Sequence, residues 1–329
     1  MHPDRVVLDP LVQRLVDASA GPPYLHQIGP VDGRQVLLEM QGHPFDDLDA
    51  EFRVAPVGPS GLVGFWLFRP RSAPAADSSA SSESSPVPVV VYLHGGRWML
   101  GDARTHARLI GELADLSGAA LVVPEYTRTP EARYPVALEE CYATLTWITE
   151  QAGTLGLDGR RIAVAGDCAG ATMATALTMM AKRRAGPRVR AQVLYCPMTD
   201  PDGDTASAAR FASGYFLTRD AVAWYWREYA DDPHDLTEPT AAPLRATGTD
   251  LAGLPPALVV SAEADVVRDE GEQYARLLRR AGVRVTAVRY LGTVHDFVSL
   301  NSLRDSPPTR AAIRQGARFL ASALTPSTY

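Results

Sequence analysis

The sequence predicts an α/β fold whose mostly parallel sheet is covered by helices on both faces. Short apolar runs rich in β-branched residues alternate with helical segments along most of the 329-residue chain. Strands without polar alternation are typical of parallel sheets that are buried on both faces. The predicted strands of this series are residues 89–93, 119–123, 162–165, 191–195, 257–261 and 283–290.

Residues 1–50 are predicted to form a helical arm that precedes the sheet. Apolar side chains recur there at helical spacing before the sequence Gly21-Pro22-Pro23, which ends the helix. These apolar residues are Leu8, Leu11, Leu15 and Val16. A predicted pair of opening strands follows at residues 51–56 and 61–69.

Two segments interrupt the predicted core, which comprises residues 51–198 and 251–329. Residues 72–88 are rich in Ser, Ala and Pro and have too little apolar content to pack, so we predict a flexible surface loop. Residues 199–250 form an aromatic-rich insert. An insert at this point lies over the carboxyl ends of the strands, where open α/β sheets bind ligands, and we therefore predict a cap.

The composition indicates an ordinary globular protein and argues against several functional classes. A net charge of -6 and the lack of a basic stripe disfavour nucleic-acid binding. No apolar run approaches the roughly 20 residues of a membrane span, and the N-terminus lacks a secretory signal pattern, so we expect a cytoplasmic location. The spacing of Cys141, Cys168 and Cys196 matches no zinc or disulfide pattern, and we expect free thiols and no metal or organic cofactor.

Residues 166–170, Gly-Asp-Cys-Ala-Gly, carry the strongest chemical signal. The pattern glycine–x–nucleophile–x–glycine between a strand and a helix is a nucleophile elbow, in which the glycines permit a tight turn. The helix dipole and a neighbouring imidazole both favour a thiolate at this position. Cys168 is therefore the predicted nucleophile; the alternative is a structural thiol packed at the turn.

The sequence His94-Gly95-Gly96-Arg97-Trp98 directly follows a predicted strand and is similar to an HGGG-type oxyanion loop. We predict an oxyanion hole comprising Gly95, Gly96, Arg97 and Ala169, with the backbone N–H groups of the last three as donors. Because Arg97 replaces the third glycine, its side chain either adds a cation to the site or turns to solvent.

Two residues after later strands complete a predicted catalytic triad. Asp265 follows the strand at 257–261, and His295 follows the strand at 283–290. The order nucleophile, acid, base is that of α/β-hydrolases, and His295 would take the thiol proton while Asp265 orients the ring. The alternatives are that Asp265 caps a helix, or that Glu263 is the acid.

The other histidines have less specific positions. His94 is expected to brace the oxyanion loop. Four others, expected at the surface or at helix caps, are His26, His43, His106 and His234.

Seven stretches of the chain resemble the hormone-sensitive-lipase-like family of esterases. They are residues 92–102 (YLHGGRWMLGD), 125–138 (EYTRTPEARYPVAL), 165–171 (AGDCAGA), 215–217 with 224–229, 240–245 (TAAPLR), 254–271 (LPPALVVSAEADVVRDEG) and 295–297. The resemblance implies an eight-stranded, mostly parallel sheet and a cap built from the arm and the insert. It also implies the triad and oxyanion roles named above, and relatives of this kind usually form homodimers.

The chain departs from the family pattern at four positions. Cys168 replaces the nucleophilic serine, Arg97 the third loop glycine, Asp296 the glycine after the histidine, and Glu125 an aspartate. Covalent acyl chemistry stays plausible with a cysteine, because an acyl thioester suits attack by water, an amine or a carbanion.

Three functional interpretations remain open from the sequence. The first is hydrolysis of a carboxylic ester or thioester, and the second is intramolecular acyl transfer such as cyclisation of a natural-product-type substrate. The third is elimination without a covalent intermediate, or a non-catalytic ligand-binding relative. An apolar ester, thioester or lactone substrate is indicated by aromatic residues that could equally be cap core, namely Trp98, Tyr215, Phe216 and Trp224.

Overall fold

The computed structural model describes residues 6–42, 50–71 and 86–325. The predicted flexible loop lies outside the described residues except for 86–88, and His43 also lies outside them. Across the described ranges one eight-stranded sheet forms, in the order β1-β2-β4-β3-β5-β6-β7-β8. Its strands are β1 Ala50–Ala55, β2 Val63–Phe68, β3 Val87–Leu93, β4 Ala120–Pro124, β5 Leu157–Asp167, β6 Val189–Tyr195, β7 Ala257–Ala264 and β8 Val285–Val294.

The sheet is mostly parallel, which confirms the predicted fold class. Strands β1 and β2 run antiparallel to their neighbours, and β3 to β8 pair in parallel. Five consecutive residues of β3, from Val89 to Leu93, have no exposed surface. Because successive strand residues point to opposite faces, this burial shows that both faces of the sheet are covered.

Helices provide that cover and also form the arm and the insert. Helix α3 packs with α10, and α4 packs with α5. Among the described residues, no helix is long and apolar enough to cross a membrane. The helices are α1 Pro10–Ala18, α2 Gly29–Gln41, α3 Ala107–Ser117, α4 Val136–Gln151, α5 Ala169–Arg183, α6 Ala206–Arg210, α7 Arg219–Tyr229, α8 Gly248–Leu251, α9 Arg268–Arg280 and α10 Pro307–Leu324.

The N-terminal arm consists of α1 and α2 and is bound to the core by polar contacts. Gln41, at the end of α2, donates from Nε2 to the carbonyl oxygens of Thr105 at 2.6 Å and Ser299 at 2.9 Å. Arg34 donates to the carbonyl oxygens of Met99 and Thr129. The arm is therefore fixed to loops that lie next to both the predicted oxyanion loop and the predicted base.

The insert contains the three short helices α6, α7 and α8, each of which begins at a threonine N-cap, namely Thr205, Thr218 and Thr247. Its first residues are held by Glu270 of α9, whose carboxylate accepts the N–H of Thr199 at 2.7 Å. Burial raises the pKa of Glu270 well above its usual value, with smaller opposing effects from these N–H donors. The arm and the insert meet near residues 25–27.

Candidate active site

Cys168 lies at a sharp turn between the end of β5 and the start of α5. Its backbone has a φ of 53°, a left-handed conformation that is costly for a residue with a side chain. A Cβ on Gly170 would lie 1.9 Å from the carbonyl oxygen of Leu93, and one on Gly166 would lie 2.5 Å from the backbone of Gly170. The turn therefore requires glycine at both flanking positions, and it has the geometry expected of a nucleophile elbow.

His295 and Asp265 form a buried hydrogen-bonded pair beside this turn. Nδ1 of His295 donates to Oδ2 of Asp265 at 2.8 Å, and both side chains have no exposed surface. The other carboxylate oxygen of Asp265 accepts the N–H of Val267 at 3.1 Å. Glu263, the rival acid, instead accepts the N–H of Gly292 at 2.7 Å. The geometry thus favours Asp265 as the partner of the imidazole.

The Cys168 thiol, a ring nitrogen of His295 and a carboxylate oxygen of Asp296 lie within 4.8 Å of one another. The thiol contacts the sulfur of Met198 at 3.5 Å, and Nε2 of His295 has no hydrogen-bond partner. Oδ1 of Asp296 lies 3.3 Å from that Nε2. These three side chains offer ligand types that a metal ion can use, and they also offer a nucleophile next to a base.

Two carboxylates shift the protonation equilibrium of His295. Burial alone would lower its pKa, but Asp265, Asp296 and the Cys168 sulfur outweigh burial and raise the pKa well above the usual value. The imidazolium form is therefore stabilised between two negatively charged groups.

The loop at residues 94–98 follows β3 and passes in front of the elbow. Gly96 has a φ of 109°, and a Cβ there would lie 2.2 Å from the carbonyl oxygen of Leu100. Within the described ranges, the N–H groups of Gly96, Arg97 and Ala169 donate to no loop or side-chain acceptor. They remain available to a ligand at the helix N-terminus.

Gly95 and Asp167 show that the first loop glycine has a structural role. The N–H of Gly95 donates to Oδ1 of Asp167 at 3.0 Å, so this residue differs from the other predicted members of the oxyanion hole. Asp167 also accepts from the hydroxyl of Tyr92 at 2.6 Å and from Nε2 of His106 at 3.2 Å. The loop is thereby tied to the residue that precedes Cys168.

His106 lies at the N-cap position of α3, which agrees with the expected surface or cap position, but it is buried and its side chain does not cap the helix. Burial alone would lower its pKa, but its contact with Asp167 raises the pKa above the usual value. Its position could not be read from the sequence, because Asp167 is 61 residues away along the chain.

His94 braces the loop, as expected. Its Nδ1 donates to the carbonyl oxygen of Gly95 at 2.8 Å, and its ring stacks on Tyr126 with centroids 4.3 Å apart. Burial, followed by the charge of His106, lowers the pKa of His94 to about 3, so the ring is neutral.

Arg97 points into the protein and pairs with Asp296. Nη2 of Arg97 lies 2.6 Å from Oδ2 of Asp296, and the residues are only 3% and 8% exposed. The alternative of a solvent-directed Arg97 is therefore excluded. Its guanidinium also lies over the rings of Phe216 and Tyr225, 5.9 and 5.8 Å from their centroids. Burial alone would lower its pKa, but Asp296 and Cys168 raise it above the usual value.

A cavity of about 180 Å³ lies between the arm and the insert. Arg97 forms part of its wall and also contacts Asp296, which adjoins His295. Cys168 does not line this cavity and has no exposed surface. The guanidinium of Arg97 therefore separates the cavity from the thiol.

One of the four aromatic residues predicted as substrate contacts lines this cavity. Phe216 lines the cavity, but Trp98, Tyr215 and Trp224 do not. Trp98 instead stacks on Tyr229 with centroids 4.1 Å apart and is 1% exposed, which makes it part of the core.

The cavity-lining residues that were not predicted include His26 and Tyr225. His26 was expected at the surface or at a cap and is half-buried; burial lowers its pKa, and Asp220 opposes this effect. The only feature of the sequence that could have indicated Tyr225 is its position in the aromatic run 224–226.

Comparison with known proteins identifies relatives along nearly the whole chain. Residues 90–299 match the family described as having an alpha/beta hydrolase fold. A putative alpha/beta hydrolase of Acanthamoeba polyphaga mimivirus is 31% identical over 306 residues, which cover 93% of this chain and 85% of the viral protein. Esterase LipI of Mycobacterium tuberculosis is 32% identical over 299 residues, which cover 90% and 89% of the two chains.

Solved structures show the same similarity. A thermostable esterase from Pseudomonas putida superposes with a TM-score of 0.90 at 38% identity, covering 98% of this chain and 99% of that one. A hyperthermophilic esterase from Pyrobaculum calidifontis superposes with a TM-score of 0.85 at 34% identity, covering 97% and 100%.

Proposed function

This chain belongs to the esterase branch of the α/β-hydrolase fold family, and we propose that it cleaves a carboxylic ester or thioester through an acyl-thioester on Cys168. The proposal rests on the hydrogen bonding of the two ring nitrogens of His295. Its Nδ1 is held by Asp265 at 2.8 Å, while its buried Nε2 has no hydrogen-bond partner near the thiol. An imidazole oriented in this way can accept a proton from Cys168.

The acylation step follows from this arrangement. His295 takes the thiol proton, and the sulfur of Cys168 attacks the carbonyl carbon of the substrate. The N–H groups of Gly96, Arg97 and Ala169 donate to the developing oxyanion, whose negative charge such donors stabilise by about 3 kcal/mol each. Collapse of the tetrahedral intermediate expels the alcohol or thiol, which receives the proton from His295, and leaves the acyl group on sulfur.

Deacylation needs a second nucleophile, and its identity separates two functions. With water, His295 takes the water proton, the hydroxyl adds to the thioester, and the products are a free acid and the regenerated thiol. The complete burial of Cys168 favours a second candidate, in which a nucleophile within the acyl chain attacks and releases a cyclic product. For both candidates an apolar acyl group suits the cavity wall, to which Phe216, Leu217 and Tyr225 contribute beside the charged side chain of Arg97.

Intact-protein mass spectrometry after mixing with p-nitrophenyl butyrate tests the covalent step. We expect one butyryl adduct that maps to Cys168 and is lost in Cys168→Ala. Cys141→Ala is the matched control, because Cys141 is also a buried free thiol and lies in α4. An adduct that persists in Cys168→Ala would refute the proposal. Turnover by Cys168→Ala without an adduct would instead indicate a reaction without a covalent intermediate, in which water attacks the ester directly, and neither adduct nor turnover with any acyl donor would indicate a ligand-binding relative.

A further inference from the structure

We propose that Cys168, His295 and Asp296 form a binding site for one zinc ion, which reversibly blocks the thiol. This inference goes beyond the proposed acyl chemistry. It rests on two of the positions that depart from the family pattern, since Cys168 and Asp296 each add a ligand atom beside the same imidazole nitrogen.

The spacing of the three side chains suits zinc. Their ligand atoms lie within 4.8 Å of one another, and Oδ1 of Asp296 lies 3.3 Å from Nε2 of His295. Zinc binds nitrogen and oxygen at about 2.0 Å and sulfur at about 2.3 Å with tetrahedral angles, so neighbouring ligand atoms are about 3.3–3.5 Å apart. The nitrogen and the oxygen already have this separation, and the thiol sulfur lies within 4.8 Å of both atoms.

The contacts that hold His295 and Asp296 in place also favour a metal site. Metal-binding histidines commonly donate their second N–H to a carboxylate, and Nδ1 of His295 donates to Asp265 at 2.8 Å. This bond directs the lone pair of Nε2 towards Cys168 and Asp296. Arg97 holds the other oxygen of Asp296 at 2.6 Å and leaves Oδ1 free for a ligand.

Nε2 of His295 forms no hydrogen bond, although Oδ1 of Asp296 lies 3.3 Å from it. It is a buried polar atom without a hydrogen bond, in a side chain with no exposed surface. Such atoms are uncommon in folded proteins, because an unpaired buried polar group costs free energy. Zinc would satisfy this atom, and the thiolate and the carboxylate would balance its two positive charges.

A second cluster of potential ligand side chains is less suitable for binding zinc. Cys196, Asp265 and His295 also have ligand atoms within 4.8 Å of one another. However, Asp265 and Nδ1 of His295 already satisfy each other by a hydrogen bond, which zinc would have to break. This alternative provides the matched control for the experiment.

The test is titration of the EDTA-treated, reduced, full-length protein with Co²⁺, followed by displacement with Zn²⁺. We expect one equivalent of Co²⁺ to produce a thiolate-to-cobalt charge-transfer band, which Zn²⁺ removes and Cys168→Ala abolishes. Cys196→Ala should leave the band and the affinity unchanged. Asp296→Gly should weaken binding by at least about tenfold, since loss of a positioned ligand group has effects of this size or larger.

The outcomes test the zinc site and the proposed enzymatic reaction independently of each other. No cobalt band, a band that survives Cys168→Ala, or loss of the band in Cys196→Ala would each overturn the zinc site. If Asp296→Gly fails to fold, Asp296→Asn replaces it, with circular dichroism as the check. The acyl adduct is measured in EDTA, so an adduct without a cobalt band refutes the zinc site alone. A band without an adduct refutes the covalent acyl step alone.

Discussion

The elbow around Cys168 and the Arg97–Asp296 pair are two parts of one site that tolerate change very differently. At the elbow, a Cβ on Gly170 would lie 1.9 Å from a backbone oxygen. Arg97 and Asp296 also adopt positive φ, at 57° and 61°, in a region that glycine enters most easily. Their side chains nevertheless have space, and they pair at 2.6 Å.

The difference separates two kinds of demand for glycine. At the elbow the demand is steric, since any side chain would collide with the backbone that shapes the turn. At positions 97 and 296 the demand is conformational. Positive φ costs a residue with a side chain about 1–3 kcal/mol, and an ion pair can offset part of this cost. The backbone of the site can therefore stay constant while different side chains fill the space between the cavity and Cys168.

Replacing Gly170 at the elbow should have the largest effect on stability. Gly170→Ala should lower the free energy of unfolding by about 3 kcal/mol or more, because its Cβ would meet the Leu93 oxygen, and activity should be lost. Urea denaturation measures the change. Gly153→Ala is the control, with no atom within 4 Å of its Cβ, and should differ from the unmodified protein by less than about 0.5 kcal/mol. Equal effects of the two substitutions would contradict the steric argument.

Removing one member of the ion pair should have the next largest effect. Arg97→Gly should destabilise the protein by about 3 kcal/mol, because it leaves the carboxylate of Asp296 buried without its guanidinium partner. The double variant Arg97→Gly/Asp296→Gly should recover most of this loss, since glycine also accepts positive φ at both positions. A double variant as unstable as Arg97→Gly alone would show that the pair is not the cause.

The position of Arg97 between the cavity and the thiol predicts an effect on activity. Cys168→Ser should show little hydrolysis of short esters, whereas Cys168→Ser/Arg97→Gly should be faster by about tenfold, which corresponds to about 1.4 kcal/mol. The kcat/KM for a p-nitrophenyl ester is the measurement. Equal values for the two variants would rule out Arg97 as an obstacle.

The smallest expected effect is on the protonation of His295. Asp296→Asn removes a negative charge from beside the ring, so the raised pKa of His295 should fall, as followed by NMR of the ring protons. In the unmodified protein, the stability from the imidazolium is fully present below about pH 6.5 and is lost as pH rises through the raised pKa. Asp296→Asn should reduce this contribution. Asp305→Asn, at an exposed carboxylate, is the control, and a pKa that stays constant or rises in Asp296→Asn would contradict the assignment.

Features set by local sequence could be predicted. The series of parallel strands could be predicted because its apolar runs are short and continuous, and the structure confirms it. Strand β5 and helix α5 also meet at the turn that the glycine pattern predicts. The pairing of Asp265 with His295 agrees with the order of residues along the chain. The catalytic roles of these residues remain a prediction.

Features set by distant contacts could not be predicted. The inward direction of Arg97 depends on Asp296, which is 199 residues away, and the burial of His106 depends on Asp167. Trp98 looked like a substrate contact because aromatic residues serve both cores and pockets, and only its packing on Tyr229 separates the two roles. Helix α2 carries no strong apolar pattern, and its position depends on bonds made by Gln41 and Arg34.

The contacts of Gln41 have a consequence for the order in which a newly made chain matures. Its side chain bonds to Ser299, 258 positions later, and its carbonyl oxygen accepts from Asn301. Chains generally fold from the N-terminus as they leave the ribosome, so the arm emerges early and waits for partners that are translated near the end. The strands and the elbow can therefore assemble first, and the thiol of Cys168 becomes enclosed only in the last stage of biosynthesis.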